Sequence, residues 1–307
     1  MTAESPSTEV PADLPQEAPA PACVMSFNAS DPSGAGGLAG DVATIAAMGA
    51  HALPVVTAVV LRDTAEVFSH TALEADTVVE QARSILEDVS IAAWKVGFLG
   101  SAEGVGAVAE VLSDYPDVPL VSYMPNLSWI EEDDHQAYLD AFRELVLPQT
   151  ELLVGNHKTL TDFLLPDWEA DRPASPRELA VAAAEHGTRF VLVTGVVLPD
   201  QFVDNVLASP QGALTGEKFE RFEVAFVGAG DTLSASLAAL LASGSELQAA
   251  VGEALTFLDQ SLDAGFRPGM GNVVPDRFFW ALPPPEESES EGEPEAGPAP
   301  GEPRRVH

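Results

Sequence analysis

Short apolar segments with the composition of β-strands alternate with amphipathic, helix-like segments along most of this chain. Predicted strands cover residues 24–28, 53–60, 93–96, 120–123, 151–154 and 190–194, with a later antiparallel pair at 202–207 and 218–225. Predicted helices cover residues 38–48, 76–89, 102–113, 133–145, 158–164, 175–185, 231–241 and 246–264. Such alternation is typical of a mainly parallel sheet with helices on both faces, an α/β fold of three layers. Ligands in such folds bind beyond the carboxyl ends of the strands.

Composition bounds the folded part of the chain. Residues 1–22 and 283–307 are rich in Pro, Ala and Glu, and both segments are predicted to be disordered tails. The segment between them, 23–282, has the length of one large α/β domain. Apolar residues make up 46% of the chain, which is enough for a full core.

Charge and cysteine content exclude several classes of partner. The formal net charge is −34, and such a field repels nucleic acids and anionic membrane surfaces. Cys23 is the only cysteine, so no intrachain disulfide and no cysteine-rich metal site is expected, and a cytoplasmic location is predicted. The N-terminal residues lack the basic start and apolar core of a signal peptide. The histidines show no metal-ligand spacing, so no metal held by protein ligands alone is predicted. The predicted partner is a small molecule.

The glycine-rich turn Gly228-Ala229-Gly230 indicates a specific chemistry. It follows a strand-like run at 221–227 and precedes a helix predicted to begin at Asp231. The N-terminus of a helix presents unpaired backbone N–H groups, and the helix dipole favours negative charge there. A carboxylate beside an anion site is what phosphoryl transfer to an alcohol requires. An N-terminal helix carboxylate without a catalytic role would give the same pattern.

A second glycine-rich segment, 29–41, follows the first predicted strand. Three interpretations compete. It could be a flexible turn between strand and helix. The spacing Gly34-x-Gly36-x-x-Ala39 also fits a dinucleotide fingerprint, although the glycines follow an Asp-Pro kink and no acidic residue closes the next strand. In the third interpretation it is a substrate loop, in which glycines allow close approach of a ligand and Asp41 offers a carboxylate.

Several stretches carry a resemblance to a known family. They are Ser30-Asp31-Pro32-Ser33-Gly34 with Asp41 and Thr44, Met48-Gly49-Ala50, Val56-Thr57-Ala58, Lys95-Val96-Gly97-Phe98-Leu99, Leu152-Leu153-Val154-Gly155-Asn156, and the run from Gly228 to Ala235. In this order they resemble the hydroxymethylpyrimidine/phosphomethylpyrimidine kinases of thiamine biosynthesis, over roughly residues 23–265. The resemblance implies the ribokinase-like fold, with ATP and Mg²⁺ as cofactors. It also implies phosphorylation of hydroxymethylpyrimidine and then of its monophosphate, and a homodimer by analogy with related kinases.

The resemblance assigns candidate site residues. Asp231 occupies the position of the proton acceptor, where many pyrimidine kinases have Cys and pyridoxal kinases have Asp, and Gly228, Ala229 and Gly230 form the anion hole. Asp41 corresponds to a carboxylate facing the pyrimidine, Phe98 to an apolar residue against its ring, and Asn156 to an asparagine beside the nucleotide phosphates. Helix capping, core packing and a strand-end turn are the structural alternatives for these three residues.

Some positions depart from the family pattern. Arg62 stands in place of a substrate-facing Gln, Met124 in place of an Asp near the metal, and Thr159 in place of a Glu. Thr194 replaces a Lys that reaches toward the ATP phosphates, which leaves a neutral donor on the nucleotide side. These changes predict a slow enzyme, compensation by neighbouring residues, or a different substrate.

The departures keep alternative functions open. A pyridoxal kinase, or another vitamin or sugar kinase of the same fold, would also have Asp at the proton-accepting position. A non-catalytic pyrimidine-binding protein on a kinase scaffold would tolerate the lost charges. A dinucleotide-dependent oxidoreductase is a more distant alternative, and a P-loop kinase is excluded because its motif is missing.

Overall fold

The computed structural model describes residues 20–281, and the predicted tails lie outside this range except for residues 20–22. The strands are β1 (Cys23–Ser30), β2 (His51–Arg62), β3 (Val67–Ala72), β4 (Ala93–Val96), β5 (Leu120–Met124), β6 (Leu152–Asn156), β7 (Phe190–Val197), β8 (Phe202–Ser209) and β9 (Gly212–Glu220). The α-helices are α1 (Gly37–Ala47), α2 (Ala75–Leu86), α3 (Ala102–Ser113), α4 (Glu132–Ala141), α5 (His157–Leu164), α6 (Pro176–Glu185), α7 (Ala229–Ala242) and α8 (Leu247–Asp263). None of these helices is both long and apolar enough to span a bilayer.

All nine strands belong to one sheet, in the order β3-β2-β1-β4-β5-β6-β7-β8-β9. The six strands from β2 to β7 in this order run parallel to their neighbours. β3 at one edge, and β8 and β9 at the other, pair in antiparallel fashion. The prediction of a mostly parallel central sheet is therefore confirmed.

Helices cover both faces of the sheet and divide the core in two. On one face, Met25 and Phe27 of β1 belong to an apolar cluster that includes buried residues of α2 to α6. On the other face, Val24 belongs to a cluster built on α1, α7 and α8. Successive residues of a strand point to opposite faces, so β1 contributes to both clusters. The predicted three-layer arrangement is confirmed.

Helix α6 shows how local sequence fixes an element. The Ser175 side chain accepts a hydrogen bond from the backbone N–H of Glu178, and the Glu178 carboxylate accepts one from the backbone N–H of Ser175. Pro176 occupies the first helical position, where its fixed φ suits the helix and its missing N–H costs nothing. This reciprocal cap places the start of α6 where the sequence predicts it.

The structure differs from the predicted strands near both sheet edges. The sequence analysis missed β3, a short edge strand that pairs on one side only. The second strand of the late hairpin was predicted at 218–225 but spans Gly212–Glu220, because a tight turn pairs Ser209 with Gly212 and the pairing ends where Phe202 meets Glu220. The strand-like run at 221–227 is a loop, in which Phe226 makes an isolated bridge to Val273.

Candidate active site

A cavity of about 550 Å³ lies at the carboxyl ends of the parallel strands. Predicted residues from separate parts of the chain line it together: Arg62 at the end of β2, Phe98 after β4, and Gly228 and Asp231 at the start of α7. Asn28 of β1 and Asp31 of the glycine-rich segment 29–41 also line the cavity. The cavity therefore joins the two glycine-rich segments that the sequence singles out.

The turn at the start of α7 depends on Gly228. This residue caps the helix in the left-handed region, with φ +88° and ψ 2°, and no side chain within residues 20–281 caps the helix end. A Cβ at position 228 would collide with the carbonyl oxygen of Ala35. Glycine is required at position 228 both by the left-handed backbone and by the close approach of segment 29–41. The N–H groups of the first turn of α7 stay available for an anion.

Arg277 ties the two glycine-rich segments together, and the sequence analysis gave no indication of this role. Its guanidinium donates to the carbonyl of Ala35, and its Nε lies 3.0 Å from the hydroxyl of Thr232. The side chain is buried. Burial lowers the pKa of Arg277, an effect that the carboxylates of Asp231, Asp41 and Asp31 oppose. Because it binds carbonyl oxygens, Arg277 fixes the loop against α7 without occupying the N–H groups.

Asp231, the predicted proton acceptor, is held by a buried cation. Nζ of Lys95 lies 3.0 Å from Oδ1 of Asp231 and 2.8 Å from Oδ1 of Asp41. The side chains of Lys95 and Asp41 have no exposed surface, whereas that of Asp231 is 15% exposed and reaches the cavity. Asp231 is therefore the outer carboxylate of a three-residue ionic cluster, Asp41–Lys95–Asp231.

Asn28 completes this cluster from β1. Its Nδ2 donates to Oδ2 of Asp41 at 2.9 Å and to Oδ1 of Asp231 at 2.8 Å. Its Oδ1 accepts from the backbone N–H groups of Ala29 and Phe98. These two N–H donors fix the orientation of the amide, so Asn28 presents its donors, not its acceptor, to both carboxylates.

The electrostatics of the cluster favour a charged lysine. Burial alone would lower the pKa of Lys95, but the negative charges of Asp41 and Asp231 outweigh it and raise this pKa. Burial raises the pKa of Asp41, against the opposing effect of Lys95. Two carboxylates and one ammonium leave the cluster with a net negative charge when all are ionised. That charge lies at the cavity wall, where Asp231 is exposed.

The prediction that Asp41 faces the substrate is wrong for this structure. Its side chain is completely buried beneath the cavity and accepts hydrogen bonds from Ser26 and Lys95. Asp41 is the fifth residue of α1, and its carboxylate points toward the sheet, where it meets the one lysine of β4. Lys95 is not among the predicted site residues, although a lone lysine within the apolar run Ala93–Val96 is a signal for a buried ion pair.

Phe98 and Arg62, two of the predicted substrate-binding residues, both line the cavity. Phe98 is buried, and its ring contacts those of His70 and Trp129 at centroid distances of 5.2 and 5.3 Å. Nη1 of Arg62 lies 3.4 Å from Oδ2 of Asp31, and its Nε donates to the Asp63 carbonyl. An aromatic surface thus lies near a guanidinium with N–H groups to spare, which suits a polar aromatic ring.

The predicted nucleotide contacts lie further along the sheet. Asn156 and Thr194 are paired neighbours in β6 and β7, and neither lines the cavity. The Asn156 side chain caps α5 by accepting from the N–H of Lys158, and the Thr194 hydroxyl donates to the carbonyl of Gly155. The structure therefore does not bring these two residues together with Asp231. Met124, at a position where an acid was expected, is buried in the core.

The residues present fit a bound phosphate better than a bare metal ion. Glycine lets the turn pack against its neighbours, since a Cβ at 228 would strike the Ala35 carbonyl and one at 230 the Tyr123 ring, and the uncapped N–H groups of the first turn suit an anion. No group of three histidine, cysteine or acidic side chains in residues 20–281 could hold a metal by itself. A magnesium ion would need phosphate oxygens and water for most of its ligands, as is usual in kinases.

Solved structures share this fold. A pyridoxal kinase from Bacillus subtilis, in complex with ADP, superposes with a TM-score of 0.76 at 20% identity, covering 86% of this chain and all of that one. A phosphomethylpyrimidine kinase from Clostridium difficile superposes with a TM-score of 0.64 at 21% identity, covering 77% of this chain and 97% of that one. The fold is that of the ribokinase-like vitamin kinases, as predicted.

Sequence comparison identifies one family among the ribokinase-like kinases. The phosphomethylpyrimidine kinase family matches residues 31–276. The hydroxymethylpyrimidine/phosphomethylpyrimidine kinase of Salmonella typhimurium is 31% identical, over 78% of this chain and 90% of that protein. A chloroplastic bifunctional enzyme of thiamine biosynthesis from Arabidopsis thaliana is also 31% identical, over 85% of this chain but 49% of that enzyme. The chain belongs to the phosphomethylpyrimidine kinase family, and the predicted family is confirmed.

Proposed function

We propose that this protein is an ATP-dependent kinase that phosphorylates hydroxymethylpyrimidine, its monophosphate, or both. One observation carries the proposal: Asp231 reaches the cavity from the first turn of α7, directly after the Gly228 cap. An anion site and a proton acceptor thus meet at one point. Membership of the phosphomethylpyrimidine kinase family supports the choice of substrate.

In this proposal Asp231 accepts the proton of the hydroxymethyl group as the oxygen attacks phosphorus. Among the described residues, ion pairs and hydrogen bonds reach only its Oδ1. Its Oδ2 lies beside Gly36, where a Cβ would approach it to 2.7 Å. Oδ2 is therefore the oxygen that takes the proton, and Lys95 and Asn28 are positioning residues that hold the carboxylate.

MgATP, when bound, supplies the phosphoryl group and a cation that neutralises the polyphosphate. The backbone N–H groups of Gly228, Ala229 and Gly230 stabilise the charge on the transferred group. Phe98 and Arg62 position the substrate ring. Asn156 and Thr194 are proposed to contact the nucleotide at the ends of β6 and β7, with Thr194 as a neutral donor. A cytoplasmic location and a homodimer stay predictions.

A pyridoxal kinase is the second candidate. An aspartate at the proton-accepting position, which the sequence analysis associates with pyridoxal kinases, favours it. Arg62 also favours it, because a guanidinium only donates hydrogen bonds and thus suits a ring edge rich in acceptors. Relative rates with the two substrates decide between these kinases.

The decisive experiment incubates the purified chain with MgATP and hydroxymethylpyrimidine, its monophosphate or pyridoxal, and follows phosphorylated product by mass spectrometry. Asp231→Asn is the matched control, since its amide oxygen can still accept from Lys95 and Asn28. We expect this variant to lower kcat by at least about a hundredfold with ATP affinity little changed. Product from neither pyrimidine would reject the proposal, and ligand binding without turnover would favour a non-catalytic binding protein.

A further inference from the structure

Tyr123 lies against the anion site and has no part in the function described so far. It is the fourth residue of β5, with Val154 of β6 as its register partner, and it lines the main cavity. Its ring and hydroxyl fill the space into which a side chain at position 230 would project. The hydroxyl therefore lies beside the first turn of α7, where the backbone N–H groups have no side-chain cap.

The surroundings of this tyrosine keep its hydroxyl protonated. Burial raises the pKa of Tyr123 well above its ordinary value, and the charges of Asp231 and Asp41 raise it further. The ring also faces Lys95, whose Nζ lies 5.8 Å from the ring centroid. No hydrogen bond joins the hydroxyl to another residue in the part of the chain that the structure describes. Tyr123 is partly exposed and lines the cavity, so the free donor of its phenol can reach water or a bound ligand there.

We propose that Tyr123 is a further catalytic residue, whose hydroxyl donates a hydrogen bond to the phosphoryl group held at the Gly228–Gly230 turn. This inference rests on the proposed kinase function. The cations at this wall, Lys95 and Arg277, make their described contacts with protein carboxylates, a hydroxyl and carbonyl oxygens, so an incoming phosphate depends on other donors. A neutral donor stabilises the phosphate without adding negative charge. The proton stays on the phenol throughout, and no bond to Tyr123 forms or breaks.

A different role for the same residue gives the opposite results. If Tyr123 only plugged the turn, it would have to move aside before any anion could bind, and removing part or all of its side chain would strengthen binding. Tyr123→Phe separates the two roles, because it removes the hydroxyl and keeps the ring. Tyr115→Phe is the matched control, since Tyr115 packs on Trp94 and does not line the main cavity.

The test titrates inorganic phosphate and pyrophosphate into the wild-type protein and the two variants, without nucleotide, and follows binding by 31P NMR. We expect Tyr123→Phe to weaken binding by about tenfold or more, the size of one hydrogen bond to a charged group, and Tyr115→Phe to bind as the wild type does. Unchanged or tighter binding in Tyr123→Phe overturns the proposal, as does a wild-type protein that binds neither anion.

Steady-state kinetics with MgATP give the second measurement. For Tyr123→Phe we expect kcat to fall by about tenfold to a hundredfold, with little change in KM for the pyrimidine. Phosphate binding that depends on Tyr123 in a protein without turnover would reject the kinase function and keep the anion contact. Normal turnover in a variant with normal phosphate binding would reject the role of Tyr123 and keep the kinase.

Discussion

Nζ of Lys95 lies 3.0 Å from Oδ1 of Asp231, and this contact links the middle of the sheet to the cavity wall. The lysine comes from β4, a strand whose four residues are all buried. Its second partner, Asp41, is also buried and comes from α1. A single cation thus sets the position of the proposed catalytic base and neutralises part of the charge beneath it.

Replacing Lys95 with Met should destabilise the fold. Two carboxylates would lose their buried counter-ion, and breaking a buried pair from one side typically costs about 3–5 kcal/mol. We expect a clearly lower denaturant midpoint for Lys95→Met in equilibrium unfolding by urea, with an unchanged slope.

Lys158→Met is the control for this change. Lys158 pairs with Asp162 at 2.5 Å, but both side chains are mostly exposed, and such surface pairs contribute at most about 1 kcal/mol. If Lys95→Met unfolded at the same urea concentration as Lys158→Met, the cluster would not hold the fold together.

Alkaline pH should weaken the fold through the same cluster. The pKa of Lys95 lies above its ordinary value of 10.5 in the folded protein, so above pH 10.5 the folded state binds more protons than the unfolded state does. The free energy of unfolding therefore falls as pH rises beyond 10.5. Below pH 10.5 the stabilising contribution of Lys95 is fully present.

Tyr123 and Tyr138 also lower the free energy of unfolding as pH rises above about 10, because burial raises the pKa of both hydroxyls in the folded protein. Urea unfolding at a series of pH values from 8 to 12 measures the combined slope. Tyr123→Phe should flatten this slope, since it removes one group that binds its proton more tightly in the folded state than in the unfolded state. A free energy of unfolding that stayed constant or rose between pH 10 and 12 would contradict this assignment.

Much of the fold followed from local sequence, because each predicted element rests on an apolar pattern of its own. The six central strands and the helices between them were recognised in this way. β3 was missed because an edge strand pairs on one side only and has a weaker pattern. The position of β9 was wrong because its register follows from a tight turn at residues 209–212, and composition alone does not specify it.

The site was harder to predict than the fold, since it depends on directions that a sequence does not contain. Asp231 was indicated by the glycine turn before a helix, whereas Phe98 and Arg62 were indicated only by the family resemblance. The burial of Asp41 was not indicated, because a carboxylate at the start of α1 can face either the cavity or the sheet. Lys95, Arg277 and Tyr123 were missed because each acts on a residue that is distant in the sequence.

Asp41→Asn should lower turnover more than it affects recognition of the substrate ring. The Asp41 carboxylate touches Lys95, Asn28 and Ser26 below the cavity and has no surface on it. Removing its charge leaves Lys95 paired with Asp231 alone, so the proposed base loses part of the arrangement that positions it.

Steady-state kinetics at several pH values test this expectation for Asp41→Asn. We expect kcat to fall by about tenfold. The KM for the pyrimidine should stay within about twofold of the wild-type value. A large rise in KM with unchanged kcat would restore the original prediction that Asp41 binds the substrate.

Gly228→Ala should abolish the anion site and weaken the fold. Two effects combine at this position. The left-handed φ of +88° strains any side chain, and a Cβ would collide with the Ala35 carbonyl, so segment 29–41 and α7 would have to separate. Gly49→Ala isolates the first effect, because Gly49 has a φ of +80° but nothing within 4 Å of its Cβ position. Conformational strain alone costs roughly 1–2 kcal/mol, so Gly49→Ala should lose about that much stability and keep its affinity for phosphate. Gly228→Ala should lose more stability in urea unfolding and fail to bind inorganic phosphate in a 31P NMR titration. Equal behaviour of the two variants would show that the contact between Gly228 and Ala35 is not what shapes the anion site.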